Sequence, residues 1–304
     1  MVSRRTFLAG AMTAASSARI WGANSRLRLA VIGTGGRGAF HTANLARRSD
    51  VEVAAVCDVY KVRAQAACLR AGIHTEVEQD YRRILDRKDL DAVVIAVPDH
   101  WHTPILLDAL SSGRDAFLEK PMTFRIEEGK AIVNAVRSSR RIVQIGTQQK
   151  SGPHFLEARQ RFFDSRLIGK VSLVRTWWIA NRGYLRRSPT DFHYRPDELD
   201  WSRFLGRAPR RPFDAQRYFG WYAYRDYSTG QPGGLLVHTA DVAHFFLGLT
   251  APASVVASGG IFEFPEDRDT PDTISILAEY PERVVVTFDA TQSSVRDSVD
   301  CEFH

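Results

Sequence analysis

A lysine set between an acid and a proline, Glu119-Lys120-Pro121, closes a short apolar run at Asp115–Leu118. An amine at a strand end is well placed to contact a substrate hydroxyl, and partial burial lowers a lysine's pKa so that it can exchange protons near neutrality. Spacing alone equally allows a surface lysine paired with Glu119. A second group, His238, Asp241 and His244, has offsets of three and six that keep it on one side of a helix. There His238 can take or return a proton, with Asp241 orienting it or binding a hydroxyl. His244 reads as a core histidine. This group shows one face and no further ligand within sequence reach, so no metal is expected. His100 and His102 flank Trp101, where contact with a cofactor or substrate competes with loop packing.

These residues need a scaffold, and the segment Arg28–Asp58 dictates one. An apolar run ending at Ile32 meets Gly33-Thr34-Gly35-Gly36-Arg37-Gly38; a helix-capable segment follows, and a second apolar run, Val51–Cys57, closes on Asp58. A glycine triad between strand and helix, with an acid at the next strand end, is the arrangement that holds a dinucleotide. Gly33 permits the tight turn, Gly35 lets a pyrophosphate approach the backbone, and Gly38 lets the helix pack near the sheet. The helix N-terminus offers unpaired N–H groups to the anion. Asp58 can accept from both ribose hydroxyls, which favours NAD, while Lys61 and Arg63 leave NADP admissible. A buried run, Asp91–Val97, leads into Pro98-Asp99-His100-Trp101-His102, and a strand at Arg141–Ile145 leads into Gly146-Thr147-Gln148-Gln149. The βαβ alternation predicts a doubly wound parallel sheet whose ligands bind beyond the carboxyl ends of its strands. The expected cofactor set is Gly33, Thr34, Gly35, Gly36, Arg37, Gly38, Asp58, Pro98, His102, Glu119 and Lys120; the expected catalytic set is Lys120, His238 and Asp241.

Beyond Lys150 the pattern changes. Phe155–Asp164 reads as an amphipathic helix, Lys170–Ala180 as a strand, and 181–229 as an irregular stretch rich in Arg, Pro and aromatics. Leu235–Phe246 suits a helix. Ser254–Phe262, Thr273–Tyr280 and Arg283–Thr291 suit strands, the last two joined as a hairpin by Pro281-Glu282. The organisation is thus a signal segment over 1–24, a dinucleotide-binding domain over 27–149 and an α/β domain with an open, largely antiparallel sheet over 150–304. The arginines at 182, 186, 187, 207, 210 and 211 read as a solvated face ahead of a contact for an acidic sugar.

With 304 residues, 44% hydrophobic and 25% charged, the chain has the composition of a soluble globular protein. Three of the six net positive charges sit on Arg4, Arg5 and Arg19, within a leading stretch that holds no acid. What remains is no nucleic-acid footprint. Ser3-Arg4-Arg5-Thr6-Phe7-Leu8 has the twin-arginine pattern, and the small-residue run after it is too weakly hydrophobic for a stable membrane span. Export to the periplasm after folding is the expectation. The three cysteines form no CxxC pair and read as inert thiols.

On VIGTGGRG, AAVCD, VPDHWH, LEKPMT, IGTQQ, LDWSRFLGRAP and GGLLVHTADVAHFFLG, the chain resembles the Gfo/Idh/MocA oxidoreductases, in particular an exported branch with twin-arginine signals. The resemblance implies Lys120 as catalytic lysine, His238 as catalytic histidine, a cis bond before Pro121, and a C-terminal sheet that often forms a homo-oligomer interface. Two departures stand out. Where the family commonly has an aspartate four residues before that histidine, this chain has Gly234, and relatives usually continue past the CEFH end with further strands. The implied activity is NAD(P)-dependent oxidation of a sugar, polyol or derivative. The rivals are glycoside cleavage with a permanently held NAD, and nucleotide binding without catalysis.

Overall fold

The computed structural model describes residues 26–72, 74–180, 194–265, 268–295 and 297–304. The twin-arginine segment and the arginines at 182, 186 and 187 lie outside these residues. The first half is a six-stranded sheet in which every pairing is parallel: β1 (Leu27–Ile32), β2 (Val51–Cys57), β3 (Glu76–Glu78), β4 (Ala92–Ile95), β5 (Asp115–Leu118) and β6 (Val143–Ile145), in the order β3-β2-β1-β4-β5-β6. The central strands are buried on both faces, which is why their sequences run apolar without alternation.

Five helices cross between these strands: α1 (Gly36–Leu45), α2 (Lys61–Ala71), α3 (Tyr81–Asp86), α4 (His102–Ser111) and α5 (Ile126–Ser139). Local chemistry sets their ends. Asp80 caps α3 by accepting from the Arg82 amide, and Glu128 reaches back to the Arg125 amide at 3.2 Å to close the first turn of α5. Ile95, Leu106 and Leu118 centre the apolar layer on one face of the sheet, and Val31, Val56 and Ala67 that on the other.

The second half is built on a five-stranded sheet, β7 (Leu173–Ile179), β8 (Ser254–Gly260), β9 (Thr273–Tyr280), β10 (Val284–Thr291) and β11 (Ser298–Phe303), in the order β11-β7-β10-β9-β8. Three pairings are antiparallel, while β7 runs parallel to β10. Ahead of it α6 (Pro153–Ala158) passes into a π-helical turn, Arg159–Asp164, where an unbroken α-helix is expected from the sequence. Two short helices, α7 (Trp201–Leu205) and α8 (Ala215–Phe219), are capped by Asp200 and Asp214. The last, α9 (Val237–Leu247), is entered through a π-turn, Pro232–Leu236, and packs Ala243 beside Val174 and Val286 of the sheet. The halves meet in an aromatic layer: Tyr60 packs with Phe204, Tyr218, Tyr224 and Tyr227.

Candidate active site

The strand order reverses between β1 and β4, and the glycine turn sits at that crevice. Gly33 has φ +85°, and a Cβ there would lie 2.5 Å from the Ala96 carbonyl oxygen; one on Gly38 would lie 1.8 Å from the Gly33 oxygen. Only glycine fits either place. Gly36, by contrast, faces open space, and among the described residues a Cβ on Gly35 would come near only an Arg63 nitrogen, at 3.5 Å. Among the described residues no side chain caps α1. The backbone therefore forms an open cradle for a pyrophosphate, and the residues fit the dinucleotide the sequence implies.

Asp58 is buried and already engaged. It accepts from the Thr34 amide at 2.8 Å, the Thr34 hydroxyl at 3.2 Å and the Tyr60 amide at 2.9 Å. Its carboxylate, on the cleft wall, thus fixes the glycine turn and retains acceptor capacity for a ribose hydroxyl. Thr34 is buried behind the turn and acts through Asp58.

Glu119 takes Arg37 of the glycine turn at 2.6 Å and His41 of α1 at 2.8 Å. Burial pushes its carboxyl up, but the hydrogen bonds and charges of His41 and Arg37 outweigh that and hold it down at about 2. The Lys120 backbone amide also donates to Glu119 Oε2, at 3.2 Å. The Lys120 ammonium crosses to the second domain and donates to the Gly234 carbonyl at 3.0 Å, and the Lys120–Pro121 bond is cis.

The π-turn that supplies this carbonyl comes close because Gly233 and Gly234 lack side chains. A Cβ on Gly233 would meet Thr229 Oγ1 at 1.9 Å and Pro121 Cβ at 3.3 Å; one on Gly234 would meet the Tyr222 hydroxyl at 2.3 Å. Gly234 is thus more than a lost carboxylate: its side-chain space is filled by a phenol.

One turn further on, His238 is buried and tilted against Trp178 at 5.7 Å between ring centroids. Burial first, then the Lys120 charge, lowers its pKa to about 4. It is uncharged at neutral pH. Its Nδ1 has no hydrogen-bond partner among the described residues. Asp241 does not orient it as expected: Asp241 accepts from Lys150 at 2.8 Å, and no described hydrogen bond joins it to His238. His244 donates to or accepts from the Tyr280 hydroxyl at 2.9 Å, a core role.

Pro98 lines the cleft, whereas His102 lies behind its described lining. It is 1% exposed, and both ring nitrogens face carbonyl oxygens, Pro121 at 2.6 Å and Val97 at 2.9 Å. That ties the two strand-end loops together from behind. His100 is likewise packed, its Nε2 2.8 Å from the Phe204 oxygen. Arg210 and Arg211 bind Ser202 and Asp226.

The cleft holds about 500 Å³ and runs from the glycine turn past Asp58 to Lys120 and Gly234. Its far wall comes from a segment the sequence did not mark: Tyr218, Phe219, Trp221 and Tyr222. Arg63 reaches across from α2, donating to the Tyr218 hydroxyl at 3.1 Å with its guanidinium 4.9 Å from that ring and 5.4 Å from Phe219.

Comparison with known proteins agrees with this geometry. Residues 27–147 match the model of an oxidoreductase family with an NAD-binding Rossmann fold, and residues 202–304 match the GFO/IDH/MocA C-terminal domain. The chain is 32% identical over 146 residues to scyllo-inositol 2-dehydrogenase (NAD(+)) of Bacillus subtilis, covering 48% of this chain and 42% of that protein. It is 29% identical over 160 residues to alpha-N-acetylgalactosaminidase of Shewanella oneidensis, covering 49% and 35%. The matches thus span less than half the length of these curated relatives. Among solved structures, GenD2 from gentamicin A biosynthesis in complex with NAD superposes with a TM-score of 0.74 at 19% identity, covering 92% of this chain and 70% of that one, a likeness of fold. A Rossmann sheet matched by an NAD-binding family model, followed by that family's own C-terminal domain, makes this chain a member of the GFO/IDH/MocA oxidoreductase family.

Proposed function

We propose that this chain is an NAD-dependent dehydrogenase acting on the carbinol of a sugar or polyol. One observation carries the reading: the Lys120 ammonium stands at the rim of the cofactor cleft, within reach of the Gly234 carbonyl and beside an uncharged His238. Lys120 holds the carbinol oxygen; its ammonium first passes a proton to the uncharged His238, and the amine so formed takes the hydroxyl proton, leaving the net proton on His238. NAD, when bound, supplies the two-electron acceptor. Glu119 keeps Arg37 at the glycine turn, Asp58 selects NAD over NADP by charge, and the aromatic wall excludes water. Asp241 supports α9 through Lys150. The inositol dehydrogenase relative supports a polyol substrate.

The test is turnover of the full chain with NAD across a panel of inositols, aldoses and polyols, with Lys120→Ala as control. NADH formed by the wild type and lost in the variant, with NAD still bound, upholds the reading. Unchanged turnover in the variant ends it.

A second reading, glycoside cleavage with retained NAD, is favoured by the alpha-N-acetylgalactosaminidase relative. Release of an aryl aglycone without net NADH separates it from the first. We further propose export by the twin-arginine route to the periplasm, supported by Arg4-Arg5 and the small-residue run behind them. Self-association through the open sheet is supported by Val256 and Leu277, which pair across β8 and β9 and are both exposed. A signal-deleted chain retained in the cytoplasm, and sedimentation of the purified protein, test these two.

A further inference from the structure

Among the described residues, Arg63 is a cation at the glycine turn without an ion-pair partner. One of its nitrogens stands 3.5 Å from where a Cβ on Gly35 would be, and Gly35 is the glycine whose bare backbone admits a pyrophosphate. Both residues line the cleft. A guanidinium stays protonated and carries five N–H donors in one plane. Among the described residues this one donates to a single side chain, the Tyr218 hydroxyl, at 3.1 Å. The acid nearest in sequence, Asp58, is bonded to Thr34 and Tyr60 instead. Lys61, the other cation at the start of α2, pairs with Glu198 at 3.7 Å.

Arg63 is held in place from the other domain. Its guanidinium lies 4.9 Å from the Tyr218 ring and 5.4 Å from Phe219. Tyr218 is itself buried, with Tyr60 and Phe204 edge-on to it. A guanidinium that rests on aromatic rings still presents its N–H edge to an anion. Fixed in advance, it loses little freedom when the anion arrives, and forked bonds to a phosphate are among the strongest it makes.

We propose that Arg63 binds the pyrophosphate of the coenzyme at the glycine turn, held there by Tyr218 and Phe219, so that the second domain completes the phosphate site of the first. The proposal rests on dinucleotide binding and not on the dehydrogenase reading, and it holds equally for glycoside cleavage. A contact with the 2′-phosphate of NADP is the rival role, and the approach to Gly35 favours the pyrophosphate.

The experiment titrates full-length wild type, Arg63→Ala, Arg63→Lys, Tyr218→Phe and the Arg63→Ala/Tyr218→Phe double variant with NAD and with NADP by calorimetry. Thermal melts confirm folding, and Arg63→Gln replaces Arg63→Ala under the same criteria if the latter does not fold. Arg63→Ala should weaken both dinucleotides alike, by about tenfold to a hundredfold, and Arg63→Lys should recover part of the loss. Tyr218→Phe should weaken NAD by about threefold in the wild-type background and not at all beside Arg63→Ala. Unchanged NAD affinity in Arg63→Ala, or a loss confined to NADP, overturns the proposal. An equal Tyr218→Phe loss on both backgrounds overturns the part given to the second domain. If the wild type binds NAD but oxidises no polyol, the dehydrogenase reading fails and these titrations still decide for Arg63. If it binds neither dinucleotide, the proposal falls.

Discussion

The Lys120 ammonium and the Gly234 carbonyl, 3.0 Å apart, join the carboxyl edge of the first sheet to the π-turn that opens α9. Each domain thus supplies one half of the contact, and the reacting end of the cleft exists only while both are in place. Lys120→Ala removes the ammonium without disturbing the glycine turn. We expect turnover to fall by about 10²- to 10⁴-fold with NAD affinity kept, as measured by steady-state rates beside calorimetry.

Glu119 contributes to acid stability. Its carboxyl titrates at about 2 in the folded chain against an ordinary value of 4.5. A depressed carboxyl stabilises the fold fully above the unfolded pKa, and that stability is lost as pH falls from about 4.5 towards 2. Glu119→Gln should cost about 2–3 kcal/mol at neutral pH and flatten the loss of stability through that window. Urea titrations at several pH values read both effects.

His238 has the same sign for a different reason. Burial and the Lys120 charge depress its pKa to about 4, so it stays neutral down to that pH. Activity should hold from neutrality downward and then fall along an acid limb near 4. His238→Asn should abolish that limb and lower turnover by about 10²-fold. A pH–rate profile of both proteins checks this.

Asp58 does two jobs at once, holding Thr34 and Tyr60 while facing the cleft. Asp58→Ala should weaken NAD binding by about tenfold to a hundredfold and narrow the gap to NADP. Fluorescence titration with each dinucleotide measures both.

Asp99 is buried and accepts from the Thr229 amide at 2.8 Å and hydroxyl at 2.7 Å, and Thr229 in turn abuts Gly233. Asp99→Ala should cost about 1–3 kcal/mol by leaving those donors unpaired, and it should slow turnover by loosening the π-turn. Denaturant melts and kcat separate the two.

The first sheet was legible because its strands are apolar runs and its glycines and Asp58 fall in register with them. β3 and β11 were missed: β3 is three residues with two glutamates, and β11 alternates weakly along a largely exposed edge. The parallel pairing of β7 with β10 depends on a crossover of more than a hundred residues, which no local pattern encodes. At the site, Lys120 and His238 stand out in the sequence by residue type and position, and the fold brings the two domains' segments that bear them together. Their surroundings do not stand out, because each neighbouring acid is taken by a base that only the fold brings near: Glu119 by Arg37 and His41, and Asp241 by Lys150. Tyr222 carried no signal at all. It sits in an irregular aromatic stretch, and only the fold brings its hydroxyl against Gly234.

Arg63, stacked on Tyr218 and Phe219 beside Gly35, lays a second-domain flap over the phosphate end of the crevice. A coenzyme seated in the crevice would therefore be held from both lobes at once, by the glycine turn on one side and by this aromatic flap on the other.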